Sequence, residues 1–257
     1  MAHRPCLTHL VQRQKVIQAH VYKTAPEKYH EILTPNYSIA CKRRILDKEW
    51  SVSLQDPKIE LTTLEFSSVQ PHGVTLGPNR VYPPMSPSNA KLSREVHVAA
   101  DIIILANGFH ATQWLHHLEV TGRNGVSLHN EWDKRGGPQA YNGTSMDGFP
   151  NFFMIVGPNT ITGHSSVILA SENMINYSLK FIKPILKGDL SQVEVKREAE
   201  EEYTRDIHEQ LKTQVWATGN CNSWYKTESG WNSTVYPYAI PSQIISYPNS
   251  LSLSLSL

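Results

Sequence analysis

Asp101-Ile102-Ile103-Ile104-Leu105-Ala106-Asn107-Gly108-Phe109 sets four uninterrupted β-branched or leucine positions between an acidic residue and a small, polar, glycine, aromatic stop. A continuous apolar run without polar alternation is what a parallel strand covered on both faces requires, and Gly108 gives the backbone freedom for a tight turn. The pattern predicts a buried strand over 101–109 in an α/β sheet. Strands of this kind occur in every α/β protein, so the meaning of the segment depends on its neighbours.

Downstream, residues 151–156 predict a second strand that runs into Gly157-Pro158-Asn159-Thr160 and then Thr162-Gly163-His164-Ser165-Ser166. An apolar-periodic helix follows over 165–183, with its apolar run starting near Val167 and Pro184 as its stop. Strand, glycine turn and helix start together gather unpaired N–H groups at the positive end of a helix dipole, which suits a phosphate or the edge of an electron-rich ring. A plain capped helix with Thr162 or Ser165 as N-cap fits the same residues equally well. Upstream lies Leu33-Thr34-Pro35-Asn36-Tyr37-Ser38-Ile39-Ala40-Cys41-Lys42-Arg43-Arg44-Ile45. Three consecutive cations usually mark a solvated face. Here Ile39, Ala40, Ile45 and Leu46 bracket them, so at least one cation is expected to face protein.

Composition narrows the function classes. The 257 residues are 40% hydrophobic and 18% charged with a net charge of +1, an ordinary globular balance. No basic excess points to nucleic acid, and no apolar run reaches the ~18–20 residues that span a bilayer. Cys6, Cys41 and Cys221 are odd in number and form no Cys-x-x-Cys pair. That suits a reducing, cytoplasmic setting and excludes the common zinc frameworks. The histidines include no His-Glu-x-x-His, so no metal site is expected. The sequons Asn142-Gly143-Thr144 and Asn232-Ser233-Thr234 read as chance matches.

Along the chain, helix is expected over 11–33 in two pieces, with Pro26 opening the second. Short strands are expected at 59–64, 69–76 and 95–98, a proline loop at 83–87, mostly loop over 115–135 and a turn at Gly136-Gly137-Pro138. Residues 194–214 predict a charge-laced, exposed helix. On the helix at 165–183, Met174, Tyr177 and Phe181 are spaced for burial. The end, Leu251-Ser252-Leu253-Ser254-Leu255-Ser256-Leu257, is low complexity.

The order of Leu-Thr-Pro-x-Tyr with Cys-Lys-Arg-Arg, then Asp101–Phe109, Gly-Phe-Pro-Asn-Phe-Phe at 148–153, Gly-Pro-Asn, His-Ser-Ser and Ser223-Trp224-Tyr225 resembles the C-terminal half of flavoprotein Baeyer–Villiger monooxygenases. The resemblance runs from about Val16 to about Pro237. Asn107 departs from the usual Ala-Thr-Gly of that family at the strand turn. The resemblance implies a partial α/β fold of two dinucleotide-binding, Rossmann-like domains. On that reading 1–35 is the tail of a helical insertion, 36–100 the second part of the NADPH domain, 101–240 the second part of the FAD domain, and 241–257 a low-complexity tail.

Function by resemblance is insertion of one oxygen of O₂ into a small organic ketone to give an ester or lactone, with FAD and NADP as cofactors. Arg43 is then the catalytic guanidinium, while Lys42 faces the NADPH ribose or phosphate and Arg44 is a surface cation. Trp224 lies by the nicotinamide ribose. Gly157, Pro158 and Asn159, with the amides near Ser166 and Val167, line the flavin ring, and Asn107 and Gly108 lie near FAD. No Gly-x-Gly-x-x-Gly occurs anywhere in the 257 residues, although the family uses two such turns to seat pyrophosphate. The chain is therefore expected to be a truncated piece, inactive and marginally stable by itself. A flavin enzyme oxidising nitrogen or sulfur centres, or a non-catalytic remnant or interaction module, would fit the same residues with Arg43 unused.

Overall fold

The computed structural model describes residues 7–43, 45–80, 95–161, 166–220, 222–238 and 253–256. Two compact units divide the chain: residues up to Ile39 with those from 45 to Gly108, and Ala40–Arg43 with Phe109 onward.

The first unit opens with α1 (Leu7–Thr24), a single turn over Glu27–Tyr29, α2 (His30–Leu33) and α3 (Trp50–Ser53). Pro26 is the N-cap of that turn, where its missing N–H costs nothing. Ala25, Tyr29 and Leu54 form a small core, and the Tyr29 hydroxyl donates to Glu60 Oε2 at 3.1 Å. A three-stranded antiparallel sheet follows in the order β1 (Leu64–Gln70), β2 (Gly73–Arg80), β3 (Val96–Ala99). Strands were expected at 59–64 and 69–76. Instead Pro71, which cannot donate to a ladder, and His72 make a hairpin turn inside that second run, so β1 starts later and β2 extends further. Gly73 is required there, because a Cβ on it would lie 2.1 Å from the Val98 carbonyl oxygen. The proline loop at 83–87 lies outside the described residues.

The expected buried strand at 101–109 is not formed. The segment is extended without a ladder, and Ile102, Ile104, Leu105 and Phe109 are 81%, 85%, 76% and 97% exposed. A sheet strand is completed by its neighbours' N–H and C=O groups, not by its own side chains. Among the described residues no strand pairs with it.

The second unit holds α4 (Leu128–Lys134), α5 (Val167–Lys187), β4 (Gln192–Val195), α6 (Arg197–Lys212), α7 (Val215–Thr218) and β5 (Leu253–Ser256). Its main cores gather Leu128, Trp132, Met146 and Phe149, and then Ile207, Leu211, Tyr225 and Val235. The helix α4 falls where loop was expected, because Leu128 and Trp132 on one face bury against Met146 and Phe149. Residues 151–156 form no strand either. Their backbone bonds go to scattered partners: Asn151 N–H to the Val193 carbonyl at 2.9 Å, Met154 N–H to the Thr144 carbonyl at 2.7 Å.

α5 does begin at Val167, but its cap is Ser166, whose hydroxyl accepts from Leu169 N–H at 3.2 Å, rather than Thr162 or Ser165. It also runs through Pro184 to Lys187. A proline in the last turn removes a single helix bond, and the left-handed Gly188 at φ 80° is the actual stop. Met174 and Tyr177 are fully buried with Phe181 packed on them, as their spacing implies.

The exposed helix expected at 194–214 starts at Arg197. Glu194 belongs to β4, and Glu200 is wholly buried. The serine-leucine tail contributes β5, antiparallel on β4 with Val193 opposite Leu255. Cys41 is fully buried and disulfide-bonded, an outcome that the spacing of three cysteines did not foretell and that a reducing setting does not favour. Both sequons are buried at Asn142, Thr144, Asn232 and Ser233. No described helix is long and apolar enough to cross a membrane.

Candidate functional site

Ala40 takes a left-handed conformation at φ 67°, after which Cys41 is buried, Lys42 half-buried and Arg43 exposed. Arg44 lies outside the described residues. The turn at the end of α7 receives Cys41: a Cβ on Gly219 would sit 2.8 Å from Cys41 Sγ and 2.5 Å from the Val215 carbonyl. Beyond α7, the Ser223-Trp224-Tyr225 segment places Tyr225 at 1% exposure, edge-on to Trp216 with ring centroids 6.5 Å apart. Trp224 leans over Tyr225 at 4.6 Å and remains 45% exposed, so an indole face stays available. Burial raises the Tyr225 phenol, and the nearby Arg43 guanidinium partly offsets that rise. Trp224 packs on this buried tyrosine, and Arg43, far away in sequence, acts on its phenol electrostatically.

The glycine turn is packed against the segment 232–236. Gly157 has no room for a side chain, since a Cβ would lie 2.3 Å from the Gly143 carbonyl. Asn159, left-handed at φ 56°, donates its side-chain N–H groups to the Asn232 carbonyl at 2.8 Å and the Val235 carbonyl at 3.1 Å. Its backbone N–H goes to the Ser233 carbonyl at 2.8 Å. Those donors are spent on the protein, so Asn159 pins the turn. Pro158 is buried beside it. Val156, a β-branched residue at φ 58°, precedes Gly157 with its N–H 3.3 Å from Met174 Sδ, and left-handed backbone at such a residue is strained.

Val235 also packs in the core that contains Tyr225. The segment 232–236 therefore joins the glycine turn to the Arg43–Trp224 corner. At the start of α5, Ser166 is exposed and Val167 and Ile168 are 42% and 73% exposed, giving an apolar surface beside helix-start amides. Such a surface fits the edge of a flat heteroaromatic group. Asn107 and Gly108 belong to the other unit and are exposed; Gly108 is left-handed at φ 81° with open space around it. Among the described residues no cluster of histidine, cysteine and carboxylate side chains could hold a metal.

Sequence reasoning missed a buried ionic network. Arg135 donates to Asp147 Oδ1 at 2.5 Å, Glu131 Oε1 at 3.1 Å and Glu200 Oε1 at 3.3 Å. Asp147 N–H donates to Glu200 Oε2 at 2.7 Å. Burial pushes Glu200 up to about 8 against the pull of Arg135, and the neighbouring Asp147 carboxylate adds to the rise. Asp147 is half-buried, yet its hydrogen bond to Arg135 and the guanidinium charge hold it below the usual carboxylate range. Glu200 was findable: it lies seven residues before Ile207, on the buried face of α6 with Tyr203 and Leu211. Arg135 sits in a turn, where no periodicity marks it.

The comparisons bear on the whole chain. No protein-family profile matches it. It is 34% identical over 234 residues to a Baeyer–Villiger monooxygenase of Pseudomonas aeruginosa, covering 91% of this chain and 41% of that protein. A Baeyer–Villiger monooxygenase of Streptomyces coelicolor is 32% identical over 80% of the chain and 36% of its own length. Among solved structures, an oxidized steroid monooxygenase bound to NADP superposes with a TM-score of 0.79 at 20% identity, covering 96% of this chain and 45% of that one. OTEMO in complex with FAD and NADP superposes with a TM-score of 0.77 at 20% identity over 95% of this chain. The chain thus has a partial FAD/NADP-binding α/β fold and spans about two fifths of the length of these relatives.

Proposed function

Because the chain belongs to the Baeyer–Villiger monooxygenase family, we propose that it forms part of an FAD- and NADPH-dependent enzyme that inserts one oxygen of O₂ into a small organic ketone. The product is an ester or lactone. Residues 1–35 then end a helical insertion, 36–100 belong to the NADPH domain, 101–240 to the FAD domain, and 241–257 form a tail. The observation that carries this reading is that Trp224 packs on the buried Tyr225, whose phenol also feels the Arg43 charge, in a chain that aligns with the Pseudomonas monooxygenase over 91% of its length.

When bound, FAD reduced by NADPH would supply the oxygen-transferring chemistry. The chain's own residues then serve it as follows. Arg43 offers the planar fork of guanidinium donors to negative charge gathering on oxygen. At ~4 Å and an effective dielectric of ~20 such a contact is worth about 4 kcal/mol before desolvation. Trp224 packs an indole face on the nicotinamide side and can donate its N–H. Lys42 faces the ribose or phosphate of that cofactor. The first turn of α5 at Ser166 and Val167 and the Gly157-Pro158-Asn159 turn border the flavin edge, and by the family resemblance Asn107 and Gly108 also serve FAD.

A chimera tests this. This chain replaces the aligned portion of the Pseudomonas relative, and ketone-dependent ester formation is assayed with NADPH. The chimera should form ester, and Arg43→Ala should lower ester formation by about 10²–10³-fold while bound flavin is retained. Unchanged turnover in the Arg43→Ala chimera would sink the assignment.

A further inference from the structure

The geometry points to a second ligand site in the same unit: the cleft between α6 and the turn from Lys226 to Asn232, about 870 Å³ in volume, takes a small aromatic carboxylate. That volume is typical of small-molecule sites. None of its lining residues is among those assigned above to either cofactor.

The two walls are built differently. One is the outward stripe of α6, where Thr204, Arg205 and His208 recur at helical spacing. The other is Trp231, whose indole is pinned: its Nε1–H donates to the Pro138 carbonyl at 3.0 Å, and a Cβ on Gly137 would lie 2.5 Å from the ring. His208 rests against Trp231 with ring centroids 3.8 Å apart. Burial pushes the His208 imidazole down to about 4, so it is neutral at physiological pH. The aromatic wall is therefore uncharged and rigid, and its indole donor is already used. What it offers a ligand is flat apolar surface.

Charge supplies the second half of the argument. The acids that line the cleft are both answered on the protein: Glu201 by Arg197 at 2.8 Å and Glu209 by Lys212 at 2.6 Å. Arg135, also in the lining, is held by the buried carboxylates described above. Arg205 and Lys226 face the cleft from opposite walls, and neither has a carboxylate partner among the described residues. A flat ring against Trp231 and His208, with its carboxylate between Arg205 and Lys226, satisfies both features at once. Toward the base, Thr204 Oγ1 and His208 Nε2 are buried without a hydrogen-bond partner among the described residues, a state that a polar ring substituent would relieve.

Benzoate titrated into the full chain tests the proposal, followed by calorimetry and by the His208 ring resonances in NMR. Saturable binding that shifts those resonances is expected. Cyclohexanecarboxylate, with the same charge and no aromatic ring, should bind about fivefold more weakly. An Arg205→Ala, Lys226→Ala double variant should weaken benzoate about tenfold with an unaltered circular dichroism spectrum. Equal binding of the two acids would reduce the cleft to an anion patch and overturn the assignment. Absence of saturable binding, unchanged affinity in the double variant, or tighter binding of adenosine monophosphate than of benzoate would overturn it as well.

Discussion

Glu200 and His208 are two turns apart on α6, and their protonation pulls stability in opposite directions. Glu200 keeps its proton in the folded protein to about 8, whereas an unfolded glutamate releases it near 4.5. The folded state therefore holds the extra proton between those values, and the Glu200 contribution to stability falls as pH rises through the window. His208 titrates near 4 when folded and near 6.5 when unfolded, so its contribution is lost as pH drops from 6.5 toward 4. The two slopes oppose each other between pH 4.5 and 6.5. Above that only Glu200 acts, and the drop from pH 6.5 to 8 amounts to about 2 kcal/mol. Glu200→Gln keeps an acceptor for Asp147 N–H and removes the ionisation. Urea unfolding at pH 6.5 and pH 8 should show the drop in the parent chain and its loss in the variant; an equal drop in both would show that Glu200 does not govern it. At this scale the motifs single out Lys42, Arg43 and Trp224 as candidates. They could not show that Asn159 spends its donors on 232–235, because that bonding depends on a partner segment far along the chain.

At the scale of elements, local chemistry was readable where the element completes itself. α5 needs only its own backbone bonds, an N-terminal serine and a C-terminal glycine, and it starts where its apolar period starts. Strands were less legible because pairing lies elsewhere in the chain. The run 101–109 has strand side chains and no ladder, while Leu253–Ser256, in a segment read as low complexity, pairs with β4 through alternating leucines and serines. Alternation of that kind is a strand pattern in its own right. β5 covers one edge of β4 along Gln192–Val195. Deleting residues 253–257 should raise amide hydrogen exchange across β4 while α5 and α6 keep their protection; unchanged exchange in β4 would mean that β5 does not cover that edge.

Over the whole molecule, the chain matches about two fifths of its relatives' length and shows apolar side chains at Ile102, Ile104 and Leu105 that no described residue covers. Contiguous apolar surface of this kind in a chain of ordinary composition marks a contact face. The same chain carries the Arg43–Trp224 corner and no Gly-x-Gly-x-x-Gly turn. On the function proposed above, the chain furnishes one wall of a cofactor site, and the unpaired apolar segment at 102–105 packs against the rest of that enzyme. FAD titration of the isolated chain beside the chimera with the Pseudomonas relative measures this most directly. The chimera should retain visible flavin absorbance after gel filtration, and the chain alone should retain none. Stoichiometric FAD on the isolated chain, or a chimera that folds and stays colourless, would contradict it.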